Sequence, residues 1–204
     1  MVEDMLESQE ELHHALLTLR ASFDSGAVGA GLFPCLEETE VSAFERKHSV
    51  RLPPEYRMFP TLVGNGGTNL FKLGEMDDSF DFRPWDENDG FVGVLAEPFQ
   101  YSESWNDLSG YPEYDPEKEG DEKWLEQYDR QRDIFDQHYF MPLNGALPIA
   151  HLGCAIRLWL VVTGPERGHV WYDDRANLEG LKPLRTSDGR RLSFLEWCRG
   201  WLNG

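Results

Sequence analysis

The sequence predicts an α+β fold: a mainly antiparallel β-sheet packed with N-terminal helices and a C-terminal helix. Three observations predict it. Apolar residues recur at helical intervals near both ends of the chain, and between Leu147 and Tyr172 two strand-forming runs flank a loop of turn formers. A hydrophobic fraction of 40% and an aromatic fraction of 13% are enough for a packed core. A chain of 204 residues can bury roughly 70% of its unfolded surface without a disulfide or metal. The expected organisation is one domain over 1–204, with an acidic, expanded segment at about 75–140.

From the start, Leu6, Leu12, Ala15, Leu16 and Leu19 follow helical spacing between Glu3 and Ala21. After a glycine-containing connection, Thr39 is the expected cap of a second helix carrying Val41 and Phe44. Pro53-Pro54 should open a third, because a proline in the first turn loses no needed donor and presets φ. Pro60 should kink or shorten that helix, and Gly64-Asn65-Gly66-Gly67 should end it. Short strands are expected at Asn69–Leu73 and Phe91–Leu95, an acidic loop at Tyr111–Asp121 and a helix through Trp124–Phe135. Leu147–Leu152 and Ile156–Val162 then read as strands. The loop Thr163–Gly168 returns the chain as His169–Tyr172, an antiparallel hairpin. Ser193 and Glu196 match a capping box for a last helix whose Phe194, Trp197, Cys198 and Trp201 share one face.

Charge is the most informative bulk property. The net charge is −18, and the segment Glu75–Asp136 holds most of it, with 20 acidic against 5 basic side chains. Such a field repels phosphate backbones and attracts a basic protein surface. Aromatic residues are interleaved with the acids. Asp77, Asp78, Asp81, Asp86 and Glu87 surround Trp85, while Asp107, Glu113 and Asp115 surround Trp105, Tyr111 and Tyr114. Interfaces take their energy from aromatic anchors and their encounter rate from charge, so these twelve residues form the candidate partner-binding set. The competing reading makes the rings core and the acids their solvated flanks.

Catalytic and metal chemistry find weaker support. His151 and Cys154 lie three residues apart and could form a thiol–imidazole pair, with His169 across the hairpin, but a cysteine after an apolar strand is expected to pack as a small hydrophobe. Asp173-Asp174-Arg175 could serve as ligands or an acid–base pair. The expected role is structural, with carboxylates accepting turn donors and pairing with arginine. His13 and His14 project on different helix faces, and no metal-ligand spacing or phosphate-binding glycine loop occurs. No cofactor or metal is therefore expected. The absence of an apolar run of membrane-spanning length or of a basic, apolar leader, with three widely spaced cysteines, points to a soluble cytoplasmic protein.

Four local motifs occur in order: Leu52–Arg57 with Val63–Gly67, then Leu147–Cys154, Thr163–Gly168 with Val170–Arg175, and Phe194–Leu202. Together they resemble the SUKH superfamily, which includes yeast cell-wall-assembly regulators and many bacterial immunity proteins. The resemblance spans roughly Phe44 to Leu202 and rests on Pro53, Tyr56, Gly64, Gly66, Gly67, Gly153, Gly164, Trp171, Asp174, Trp197 and Trp201. Pro60 and the expanded segment between Glu75 and Phe140 depart from the pattern. The resemblance implies a non-enzymatic, protein-binding role: an immunity protein that neutralises a toxin, such as a basic nuclease domain, or a module that regulates or scaffolds an endogenous partner. A hydrolase using His151, Cys154 or Asp173–Asp174 is the remaining alternative.

Overall fold

The computed structural model of the protein describes residues 2–24, 31–77, 82–84 and 92–203. Helix α1 runs Val2–Asp24 and buries Leu16, Leu19 and Phe23. Helix α2 spans Glu38–Lys47, and its cap differs from expectation. Glu37, not Thr39, is the N-cap, and it forms a reciprocal capping box with Glu40, whose carboxylate accepts from the Glu37 N–H at 2.8 Å. Thr39 lies inside the first turn, where the acidic residues Glu38 and Glu40 also complement the helix dipole. Helix α3 spans Pro54–Leu62 behind Pro53, as the double proline predicts. Pro60 sits inside it two residues before its end, and its carbonyl accepts from Leu36 N–H at 2.8 Å.

Asn69–Leu73 does not form a ladder. Asn69 adopts φ +63, which breaks the extended run, so only Leu70 bridges to Ala150, flanked by Phe71 N–H to Ile149 O and His151 N–H to Asn69 O, each 3.0 Å. The expected strand at 91–95 is likewise reduced to one parallel bridge, Val92 with Leu143, because the chain turns at Val94–Glu97; Phe91 lies outside the described residues. A small hairpin that the sequence reading lacked pairs β1 (Glu75–Asp77) with β2 (Phe82–Pro84).

Helix α4 spans Glu122–Tyr139, longer than expected at both ends, and Asp121 sets its start by accepting from the N–H groups of Lys123 and Trp124 as N-cap. Strands β3 (Ala146–Gly153), β4 (Ile156–Val161), β5 (Val170–Asp173) and β6 (Leu181–Pro183) form a four-stranded antiparallel meander in chain order. Cys154 and Ala155 join β3 to β4 with φ of 48° and 60°, the left-handed pair that a two-residue hairpin needs to match strand twist. β6 is three residues long and contains Pro183, so it carries no strand signature of its own.

Both faces of this sheet are covered. Leu147, Ile149, Leu158, Leu160 and Val170 pack with residues of α1, α2, α3 and the last helix, α5 (Phe194–Asn203). Trp159, Val161, Trp171 and Leu181 face the other way, onto Phe99, Leu143 and the half-buried Tyr101 and Trp105. Burial on both faces explains why β4 reads as a continuous apolar run rather than an alternating one. Trp159 and Trp171 are fully buried, which stabilises the fold by about 4–6 kcal/mol each as an upper bound.

Two local devices hold the layers in register. Ser193 and Glu196 form the expected capping box, with Ser193 N–H to Glu196 Oε2 at 3.0 Å and Glu196 N–H to Ser193 Oγ at 3.3 Å. This seats Phe194 edge-on against Tyr56 and Phe59, with ring centroids 5.0 and 5.2 Å away. Trp197 stacks on Trp201 one turn later. Gly145, with φ +63, lets the chain enter β3 while its carbonyl accepts from Val162 and Thr163. A Cβ there would lie 2.5 Å from Glu97 O and Phe99 N.

Gly145→Ala should lower stability in urea by more than about 2 kcal/mol, since it combines left-handed strain with a backbone clash. Gly189→Ala, also left-handed (φ +86) but opening into free space, should cost only about 1 kcal/mol. The Glu196 carboxyl is held below its ordinary value, first by the Ser193 N–H and then by Arg190. A depressed folded-state pKa contributes stability that is present above about pH 4.5 and lost as pH falls further. Glu196→Gln should therefore cost a few tenths to about 1 kcal/mol at pH 7 and progressively less as pH falls below about 4.5, read from paired urea melts.

Candidate protein-binding face

The segment 99–121 and α4 build the outer layer over the tryptophan face of the sheet. Trp105 enters first. Its N–H donates to Leu181 O at 2.9 Å and its carbonyl accepts from Leu181 N–H at 2.8 Å, which extends the sheet beyond β6. Its ring packs between Tyr101 and Tyr139, each with a centroid 5.3 Å away. Tyr111 meets Phe135 edge-on at 5.1 Å; the Arg132 guanidinium lies over its ring and donates to its hydroxyl at 3.1 Å. These two half-buried rings are thus engaged within the chain.

Tyr114 differs. It is 48% exposed and packs edge-on against Trp124 and Tyr128, at 5.6 and 5.5 Å, which stack on each other one turn apart on α4. Partial desolvation, then the Glu119 carboxylate, raises its phenol above the ordinary value. Ile134 (63% exposed) and Leu108 add apolar surface. Around them Glu113, Glu117, Glu119, Glu122, Glu126, Asp129 and Asp133 are all exposed.

The other acids have local structural work. Asp107 accepts from Ser109 N–H at 2.9 Å, and hydrogen bonds from Ser109 hold its carboxyl below the usual range. Asp115 caps the short 3-10 turn Pro116–Lys118 and pairs with Lys118 at 3.3 Å. Of the remaining candidates, Asp77 belongs to β1, while Asp78, Asp81, Trp85, Asp86 and Glu87 lie outside the described residues. The structure therefore brings Trp105, Asp107, Tyr111, Glu113, Tyr114 and Asp115 into one layer with α4. The sequence reading missed Trp124, Tyr128 and Ile134, although the i, i+4 spacing of the first two was a usable signal for a shared helix face.

Beneath this layer lies a buried ion pair. Asp173 (6% exposed) and Arg175 (2%) join through Nε–Oδ1 at 2.9 Å and Nη2–Oδ2 at 2.8 Å. Asp173 also accepts from the Trp159 indole at 3.0 Å and from Arg175 N–H at 3.1 Å. Arg175 Nη1 reaches the carbonyls of Met141, at 2.9 Å, and Tyr139, at 3.3 Å, at the C-terminal end of α4. Asp174 faces elsewhere, accepting from Asn177 Nδ2 at 2.6 Å and from the Tyr172 hydroxyl at 3.4 Å. The carboxylates thus have separate partners, in the structural arrangement expected of this triplet.

Cys154 is exposed in the β3–β4 turn, not packed as expected, because the left-handed turn aims it away from the sheet. His151 pairs across the ladder with Arg157 and packs on Phe71, whereas His169 lies in the next loop, with its carbonyl accepting from Val161. Among the described residues no group of three or more His, Cys, Asp or Glu side chains is placed to hold a metal ion, and no helix is long and apolar enough to cross a membrane. Comparison with protein-family models, curated proteins and solved structures gave no match.

Arg175→Met should cost about 3–5 kcal/mol in urea, because it leaves the Asp173 carboxylate buried without its cation. The same change in an Asp173→Leu background should cost at least about 1 kcal/mol less, a coupling that additive effects would not produce.

Proposed function

We propose that this chain is a non-enzymatic protein-binding domain of SUKH type, acting as a bacterial immunity protein against a basic toxin domain such as a nuclease. The observation that carries this reading is the acidic–aromatic face of α4 and 107–121, where exposed carboxylates ring a partly exposed Tyr114–Trp124–Tyr128 cluster. Aromatic anchors held rigid by their own neighbours lose little entropy on binding, and the surrounding acids steer a basic partner. In this reading Trp105 and Tyr111 shape the face from beneath, and Tyr114 makes the central contact. The same field disfavours direct binding to nucleic acid. The ordered motifs from Leu52 to Leu202 support the family assignment, together with the observed order of helices, antiparallel sheet and closing helix.

Co-expression tests it. A candidate toxin gene, taken from beside this one if one is encoded there, would be induced in a sensitive bacterium with and without the chain. Growth rescue with a co-purifying complex is the expected outcome. A folded chain that neither rescues nor co-purifies overturns immunity and leaves regulation of an endogenous partner as the reading. Within a complex, Tyr114→Ala should weaken binding by about 2 kcal/mol. Association should also slow steeply from 0.1 to 1 M salt, as the Debye length falls from about 10 to about 3 Å.

A further inference from the structure

A large cleft that opposes the chain's acidic character lies on the opposite layer, between α1, α2, α3 and the β4–β5 loop. It encloses about 720 Å³ and carries Arg46, Arg51, Arg57 and Arg167 against a single carboxylate, Glu45. On a chain of net charge −18, four guanidinium groups around one cleft are a local reversal of sign. They come from separate parts of the chain: the last turn of α2, the α2–α3 link, α3 and the β4–β5 loop.

The four are not equivalent. Arg57 is consumed internally: its Nε reaches both Glu45 oxygens, at 3.2 and 3.3 Å, and its Nη2 donates to Glu38 and to Ser42. Arg167 Nη2 donates to the carbonyls of Arg51 and Leu52, at 3.2 and 3.0 Å, which pins the backbone that carries Arg51. Arg46 and Arg51 are exposed, and among the described residues no hydrogen bond or ion pair engages either guanidinium. The floor is apolar, supplied by Leu12, Pro54 and Met58.

We propose that this cleft binds a small organic phosphate monoester, its phosphate held by Arg46 and Arg51 and its apolar body on the Leu12–Pro54–Met58 wall. The volume matches that of small-ligand sites, about 300–1,000 Å³. Planar guanidinium forks match phosphate oxygens bidentately, and two uncommitted forks match the double charge of a monoester better than the single charge of a carboxylate. Glu45 and Arg57 act as positioning residues. Their ion pair, and the Leu52 N–H donated to Glu45 at 2.9 Å, fix the link from which Arg51 projects.

Calorimetric titration of the full chain with phenyl phosphate tests the site, with inorganic phosphate and Arg130→Gln, an exposed arginine on α4, as controls. Saturable one-to-one binding is expected, weakened about tenfold by each of Arg46→Gln and Arg51→Gln and unchanged by Arg130→Gln. Both changes are at exposed side chains, so unaltered thermal melts will show that the fold persists. Absence of saturable binding, or binding that the Arg46→Gln/Arg51→Gln double variant retains, overturns the site. Inorganic phosphate binding as tightly as phenyl phosphate overturns the role given to the apolar wall.

Discussion

The bidentate pair between Arg175 and Asp173 is the contact on which the two halves of the structure depend. Each charge would be costly in the interior alone, and here each is fully occupied: the carboxylate by Trp159, Arg175 N–H and the guanidinium, the guanidinium by Asp173 and two carbonyls at the end of α4. One cluster therefore touches β4 through Trp159, ends β5 at Asp173, starts the turn toward β6 and clamps α4. A hydrophobic replacement could match its burial, but it could not satisfy the Trp159 indole and the Tyr139 and Met141 carbonyls together. The cluster supplies geometric specificity between a sheet and a helix that share few other fixed contacts.

That clamp explains why the outer layer can be so acidic. Self-repulsion among the exposed carboxylates of α4 and 107–121 opposes compaction. The layer is held from below by contacts largely withdrawn from solvent: Tyr139 stacked on Phe135 and bonded to Asn106 at 2.5 Å, Trp105 paired with Leu181, and the buried Arg175 on the helix end. Several acids also do local work as caps at Asp107, Asp115 and Asp121. The charge left over is what faces solvent.

The parts of the fold legible in the sequence are those set by local rules. The Pro53–Pro54 helix start, the Ser193–Glu196 box and the β4–β5 hairpin each depend on a few adjacent residues, and each occurs as read. The misreadings have two sources, a local competition that residue type alone does not decide and a partner distant in the chain. Asn69–Leu73 has strand composition but a left-handed Asn69, β6 exists because β5 and Trp105 flank it, and Glu37 outcompetes Thr39 because Glu40 can reciprocate. The candidate face was legible in composition but not in exposure. Trp105 and Tyr114 look alike in sequence, nine residues apart between acids, yet one ring is sandwiched by Tyr101 and Tyr139 while the other is half open to solvent. The arginine cleft was legible only in part, because Arg46, Arg51 and Arg57 share one short stretch while Arg167 joins them only when the β4–β5 loop folds back on the α2–α3 link.

Charge in this molecule is consequently uneven over the surface, and the basic cleft is a local reversal on a helical layer whose α1 and α2 are themselves rich in carboxylates. The sheet and its buried tryptophans separate an outer layer rich in carboxylates from a helical layer whose cleft is ringed by guanidinium groups. Beyond about one Debye length, roughly 8 Å at physiological ionic strength, the cleft is screened from the carboxylates of the outer layer. The acidic–aromatic face and the arginine cleft therefore lie on different sides of the same sheet. The rigid meander between them, tied on one face by Arg175 and on the other by the Phe194 contacts with Tyr56 and Phe59, keeps the two surfaces at fixed separation.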